Sequence, residues 1–168
     1  MISSQMSDAL STFENKERFL GNELFKRINT IQEYQFTQGR ICYDFIVTTV
    51  ESKHIIGDIK VRRFKREKYT TYILEVQKLQ GLIAKAEKLK MDSIYYINFF
   101  ETGNNITADF IIFNLTPRIA QWKKKPPKIE YMNMNVETWK SEEVKAQKQI
   151  ILLEYDEKID SKGTIHLN

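Results

Sequence analysis

A chain of 168 residues with 42% hydrophobic content is long enough to bury one core and too short for two ordinary domains, so residues 1–168 are read as a single domain. Lys and Arg number 26 against 22 Asp and Glu, and the resulting charge of +4 with a pI near 9.0 suits an anionic partner without requiring one. A single cysteine, Cys42, excludes an intrachain disulfide framework, the opening "MISSQMSDAL" lacks a signal-peptide pattern, and no apolar run reaches membrane-spanning length, so a reducing cytoplasmic setting with no membrane partner is expected.

The pattern is helical from about Asp8 to Ile31, where Phe13, Leu20, Leu24, Ile28 and Ile31 fall on roughly one face. "EYQFT" then reads as a strand. "RICYDFIVTT", from Arg40 to Thr49, is a stronger one, rich in β-branched and aromatic residues. After the polar connection "VESK", "HIIGDIKVRRF" is a third strand and "KREKYT" a basic loop. Thr71 to about Lys90 reads as a helix with the stripe Ile73, Val76, Leu79, Ile83 and Ala86, in which Gly81 either weakens the helix slightly or lets a neighbour approach closely. "SIYYINFFE" and "ITADFIIFNL" are strands joined by the hairpin sequence "TGNN".

Beyond Pro117 the pattern weakens. "WKKKPPK" reads as a basic connector, "IEYMNMNVETW" as extended, "KQIILLEYDEKI" as a last strand in preference to a helix, and "SKGTIHLN" as loop or tail. Helix, three strands, helix and two strands predict a mixed α/β (α+β) layer around one central sheet.

Two carboxylates stand out in this order. If the strands flanking "VESK" form a hairpin centred on Glu51, Asp44 lies directly opposite Asp58 on one face, with Cβ atoms about 5 Å apart. Lys60 shares that face. Like charges so placed destabilise a sheet unless a divalent cation bridges them, and Mg²⁺, which takes one or two carboxylates and keeps several waters, suits the role. Lys60 would orient the attacking water or neutralise charge. Glu23, beside the buried stripe of the first helix, is a third acid within reach.

Asp44, thirteen intervening residues and Asp58-Ile59-Lys60, behind a helical Glu23 and ahead of a long helix, resemble the PD-(D/E)XK nuclease superfamily. The resemblance covers about Glu14 to Leu115 and leaves residues 116–168 as a C-terminal elaboration; Tyr43 stands where the motif name has proline. It implies a restriction-endonuclease-like αβββαβ core and a metal-dependent nuclease. Asp44 and Asp58 would be the metal-binding acids, Lys60 the catalytic lysine, Glu23 the helix acid and the Ile59 carbonyl a further metal ligand. The long helix would add Gln77 or Lys78, with Glu75 less favoured. Mg²⁺ or Mn²⁺ would be the cofactor and DNA the substrate, with RNA left open. Homodimers, structure-specific resolvase-like cleavage and a phage or bacterial recombination role also follow by analogy.

Plainer readings stand beside these. Asp58 and Lys60 could lie on a solvated edge strand, but both faces of that strand are mostly apolar, which places it inside the sheet. Glu23 could be an ordinary solvated helix residue, and Gln77, Lys78 and Gln80 taken singly fit an exposed helix face. The basic runs containing Arg62, Arg63, Lys65, Arg66 and Lys68, and Lys123, Lys124 and Lys125, are either solvated loops or phosphate contacts, with Trp122 stacking on a base or packing. His54 and His166 lack ligand partners at short spacing, and Cys42 reads as a small buried residue. The alternatives to a nuclease are an inactive DNA-binding or assembly module of the same fold, and an unrelated α+β interaction protein.

Overall fold

The computed structural model describes residues 4–37, 42–104, 106–135 and 145–167, with side chains from residue 15 onward and excepting that of residue 135. Its elements run α1 (Ser4–Phe25), β1 (Ile31–Phe36), β2 (Phe45–Thr49), β3 (His54–Arg62), β4 (Thr71–Glu75), α2 (Val76–Leu89), β5 (Ser93–Glu101), β6 (Thr107–Asn114), α3 (Leu115–Lys124), β7 (Glu130–Asn135), β8 (Lys145–Glu154) and β9 (Ser161–His166). The αβββαβ order expected from the sequence is present as α1, β1, β2, β3, α2 and β5. Among the described residues the strands form two sheets. The larger has the order β1-β2-β3-β5-β6-β9, and the smaller β4-β8-β7. Only β3 and β5 pair in parallel, so the larger sheet is mixed.

Helices cover both faces of the larger sheet, because its central strands are apolar on both. On one face Leu20, Leu24 and Phe25 of α1 pack with Phe45, Val47, Ile59, Ile97 and Phe99. On the other, Val76, Leu79, Leu82 and Ala86 of α2 pack with Ile56, Ile94, Tyr96, Ile111 and Phe113. Tyr72, Leu74, Ile151 and Leu153 join that second core, so the smaller sheet closes over the same face. No helix among the described residues is long and apolar enough to cross a membrane.

Four sequence expectations change. "TYILE" is strand β4, not the start of a helix: Tyr72 and Leu74 alternate inward and pair with Leu153 and Ile151, and the helix begins only at Val76. The first helix ends at Phe25, short of Ile31, which opens β1. Trp122, Lys123 and Lys124 belong to α3, which Asn114 caps by accepting from the Thr116 N–H at 3.2 Å. The supposed tail is β9, paired with β6 through Ile165, which is buried opposite Ala108. Asp160 anchors it. Its Oδ1 accepts from the Asn114 N–H at 3.0 Å and its Oδ2 from the Asp156 N–H at 2.9 Å and from Arg118. Residues 40 and 41 of the expected second strand lie outside the described residues; β2 itself begins at Phe45.

Candidate active site

The β2–β3 hairpin sets the geometry. Phe45 pairs with Gly57, Ile46 with Ile56, Val47 with Ile55 and Thr48 with His54, and one step past this ladder Asp44 meets Asp58. There β2 leaves the sheet. The Asp44 N–H donates to the Gly57 carbonyl at 2.8 Å, while Asp44 Oδ2 accepts from the Ile59 N–H at 2.7 Å. On an antiparallel edge a residue's N–H and C=O point the same way, so the Ile59 carbonyl opens toward Asp44 as well.

Two glycines permit this arrangement. A Cβ on Gly57 would lie 2.4 Å from the Tyr95 carbonyl oxygen and 2.3 Å from Phe45 Cζ, so no side chain fits under the hairpin. A Cβ on Gly81 would come within 2.9 Å of Cys42 Cβ, which is where the segment entering Asp44 lies against α2.

Asp58 is fully buried, and among the described residues neither of its carboxylate oxygens receives a well-aligned hydrogen bond, although the Asp44 carboxyl and the Lys78 ammonium lie against it. It is held by charge. Lys78 Nζ, from α2, lies 2.5 Å from Oδ1 but off the hydrogen-bonding direction, and Lys60 Nζ lies 3.8 Å from Oδ2. Glu17, from α1, sits 3.6 Å from Lys60 Nζ on the far side. Three acids and two ammonium groups therefore share one partly enclosed space.

Their proton affinities follow from that crowding. Burial and then the charge of Asp58 push the Asp44 carboxyl up to about 8, where it keeps a proton to share with Asp58 at neutral pH. Burial also works to raise Asp58, but Lys60 and Lys78, with the proton shared from Asp44, outweigh it and hold Asp58 below the usual carboxylate range. Burial would lower Lys60, yet Asp58, Glu17 and Asp44 prevail and raise it, so it stays an ammonium. Glu17 is raised by burial, with Lys60 opposing. Contrasting affinities in adjoining carboxylates are common at reactive sites.

The structure thus brings together Asp44, Asp58, Lys60, Lys78 and the Ile59 backbone. It does not bring Glu23. That side chain pairs with Arg27 at 2.9 Å and Lys26 at 3.3 Å on its own helix. Glu17 takes the place expected of it, because at about 100° per residue Glu17 falls within about 20° of Leu24 around α1 and Glu23 about 100° away. Gln77 is also elsewhere: it is exposed on α2 and faces a hollow beside β8. Glu75 pairs with Lys148 at 2.9 Å.

The basic runs divide. Arg62 is not available to a phosphate, since its guanidinium donates to Asn98 Oδ1 at 2.7 Å, the Tyr96 hydroxyl at 2.7 Å and the Ile73 carbonyl at 2.9 Å. Arg66 is likewise tied to the Gly163 carbonyl at 2.8 Å and to Glu67 at 3.1 Å. Arg63, Lys65 and Lys68 are exposed, as are Lys123, Lys124 and Lys125 at the end of α3, while Trp122 packs against the core. Asn98 was not anticipated. It is fully buried across from Lys60, its Oδ1 receives Arg62 and its Nδ2 has no partner among the described residues. A lone Asn inside the apolar run "SIYYINFFE" was its signal.

A divalent cation fits the donors present. The undirected oxygens of Asp58, the Asp44 carboxyl and the Ile59 carbonyl are all hard oxygen ligands. No group of three or more His, Cys, Asp or Glu among the described residues is spaced to hold a metal ion, so such an ion would keep several waters, as Mg²⁺ does.

No protein-family model matches the chain, and no curated protein matches it. Among solved structures the chain is similar to Hjc, a Holliday junction resolvase from the archaeal hyperthermophile Archaeoglobus fulgidus, with a TM-score of 0.44 and 14% identity, over 80% of this chain and 87% of that one.

Proposed function

We propose that the protein is a Mg²⁺- or Mn²⁺-dependent nuclease that hydrolyses phosphodiester bonds in DNA. The observation that carries this reading is the fully buried Asp58, short of directed hydrogen bonds, set against Asp44 and two lysines where β2 leaves the sheet. A structural ion pair needs one lysine and well-directed hydrogen bonds. A site for a doubly charged cation and a phosphate needs paired acids and surplus positive charge.

Asp44, Asp58 and the Ile59 carbonyl would hold the ion, which when bound supplies Lewis acidity at the scissile phosphate. Lys60, kept charged by three acids, directs a hydrogen bond to the attacking water and offsets charge building on the phosphate. Glu17 holds the Lys60 ammonium in place. Lys78 neutralises Asp58 before substrate arrives and turns toward a phosphate oxygen afterwards. Branched DNA is the substrate favoured by analogy, with a homodimer as the working unit.

The test incubates the protein with linear duplex, single-stranded and four-way junction DNA, with Mg²⁺ or Mn²⁺, and with RNA of the same sequences. Cleavage by the parent that disappears in both Asp58→Asn and Lys60→Ala supports the reading. A Lys60→Ala protein that cuts as well as the parent removes Lys60 from the mechanism, and a parent inert on every substrate removes the nuclease.

A further inference from the structure

The smaller sheet carries a feature that the acid site does not use. β4 pairs with β8 only as far as Glu75 opposite Ile150. Past that point β7 and β8 continue as a ribbon of two strands, with Tyr131 opposite Gln149, Asn133 opposite Gln147 and Asn135 opposite Lys145. Strand periodicity puts Gln147 and Gln149 on the same side as the core residues Ile151 and Leu153, but the core has ended there. That side meets the first turn of α2 instead. Gln77, Gln80, Gln147 and Gln149 line a hollow of about 200 Å³ between them. Glu75, the acid at its rim, is neutralised by Lys148.

The chemistry of this face is unusual for a soluble surface. Tyr131, Asn133, Gln147 and Gln149 are exposed and carry amide or phenol groups, and the same face bears Lys145 and no described carboxylate. Of the described amides on this face, only that of Gln149, which donates to the Tyr131 hydroxyl at 3.0 Å, is spent within the protein. The exposed lysines ending α3, and Lys128, which pairs with Glu130 at 2.8 Å, lead into the ribbon. The surface thus offers paired amide donors and acceptors framed by positive charge.

We propose that this ribbon, with Gln77 and Gln80, contacts base edges in the major groove of B-form DNA. A two-stranded ribbon is of a width that groove admits, and Gln and Asn pair with base edges in two directions at once. The narrow major groove of A-form RNA excludes it. The placement is continuous with the acid site. Gln77 and Lys78 are consecutive on α2, the first lining the hollow and the second touching Asp58, so a duplex with a phosphate at Asp58 presents its neighbouring bases to the ribbon. This deepens the nuclease reading by adding sequence preference to it, and it rests on that reading only for the direction in which the duplex lies.

The experiment selects duplexes from a random pool with the full chain in EDTA, sequences what is retained, and repeats this with Gln147→Ala/Gln149→Ala and with Gln77→Ala/Gln80→Ala. The parent enriches a short motif. Each double variant loses the motif, binds it about tenfold more weakly and keeps the parent's salt dependence, because neutral amides release no counterions. Melting curves that superimpose on the parent's show that the variants fold. Absence of any enriched motif, unchanged enrichment in both variants, or tighter binding of the matching RNA duplex overturns the proposal. Cleavage is scored separately: a parent that enriches a motif but never cuts with Mg²⁺ or Mn²⁺ refutes the nuclease and leaves the ribbon standing.

Discussion

Replacing Lys78 by methionine keeps most of the side-chain volume and removes only the charge that lies 2.5 Å from Asp58 Oδ1. Asp58 is then buried beside a single ammonium, Lys60, 3.8 Å from its other oxygen. Removing one partner of a buried ion pair costs about 3–5 kcal/mol when nothing else compensates; with Lys60 still present, about 2–3 kcal/mol is expected. In a chain of 168 residues that lowers Tm by about 4–12 °C at neutral pH.

The pH dependence separates this mechanism from a simple packing loss. Asp58 is held below the usual carboxylate range by Lys60 and Lys78 against its burial, so its contribution to stability is present above the unfolded carboxylate value, about 4, and is lost as pH falls through the folded value. The gap between parent and Lys78→Met should therefore be widest near neutrality and close in acid, as both forms protonate Asp58. Mg²⁺ should raise Tm more in the variant than in the parent, since it no longer competes with an ammonium for Oδ1. Thermal melts followed by circular dichroism, with and without Mg²⁺, read all three effects. Equal Tm values at neutral pH, or a gap that persists unchanged into acid, would refute the view that Lys78 serves as the counter-ion of Asp58.

Further consequences can be measured on the same protein. Glu17→Gln should lower the cleavage rate at least about tenfold while Glu23→Gln, which breaks only an intrahelical pair, leaves it within about twofold. Because Asp44 holds a proton up to about 8, Mg²⁺ must displace that proton; its affinity, read by titration calorimetry in two buffers, should rise with pH toward 8 and level off above it, with proton release below. The same raised affinity makes the metal-free protein lose stability as pH climbs from about 4 toward 8, since only the folded state holds the proton there. Asp160→Ala, which leaves Arg118 only the Glu154 carbonyl and removes the acceptor of two backbone N–H groups, should cost about 2–4 kcal/mol in denaturant unfolding without altering DNA cleavage.

What could be read from the sequence was what depends on neighbours along the chain. The hairpin between "RICYDFIVTT" and "HIIGDIKVRR" is closed by a short turn, so its register, and with it the meeting of Asp44 and Asp58, follows from counting residues. Strand β4 could not be read this way. Ile73, Val76 and Leu79 satisfy helical spacing as well as Tyr72 and Leu74 satisfy alternation, and the choice is made by β8, which lies some seventy residues further on. Strand β9 was hidden for the same reason, its partner β6 being distant and Asp160 the tie that holds it.

The helix acid could be read along the chain as well. Glu23 and Glu17 both stand three residues from Leu20, but only Glu17 also falls within about 20° of Leu24 around the helix, so the stripe taken whole already favours Glu17. Arg27 also counts against Glu23, because an Arg four residues later is well placed to pair with it, and that pair holds Glu23 to its own helix. Glu17 has no such partner one turn on: the residue four later is Gly21, which brings α1 so close to β3 that its Cβ would meet Ile59 Cδ1 at 2.8 Å. The glycine that lowers α1 onto the sheet is therefore also what lowers Glu17 to Lys60. A bulky residue at Gly21 should lift the helix and separate Glu17 from Lys60 while leaving Asp44, Asp58 and Lys78 together.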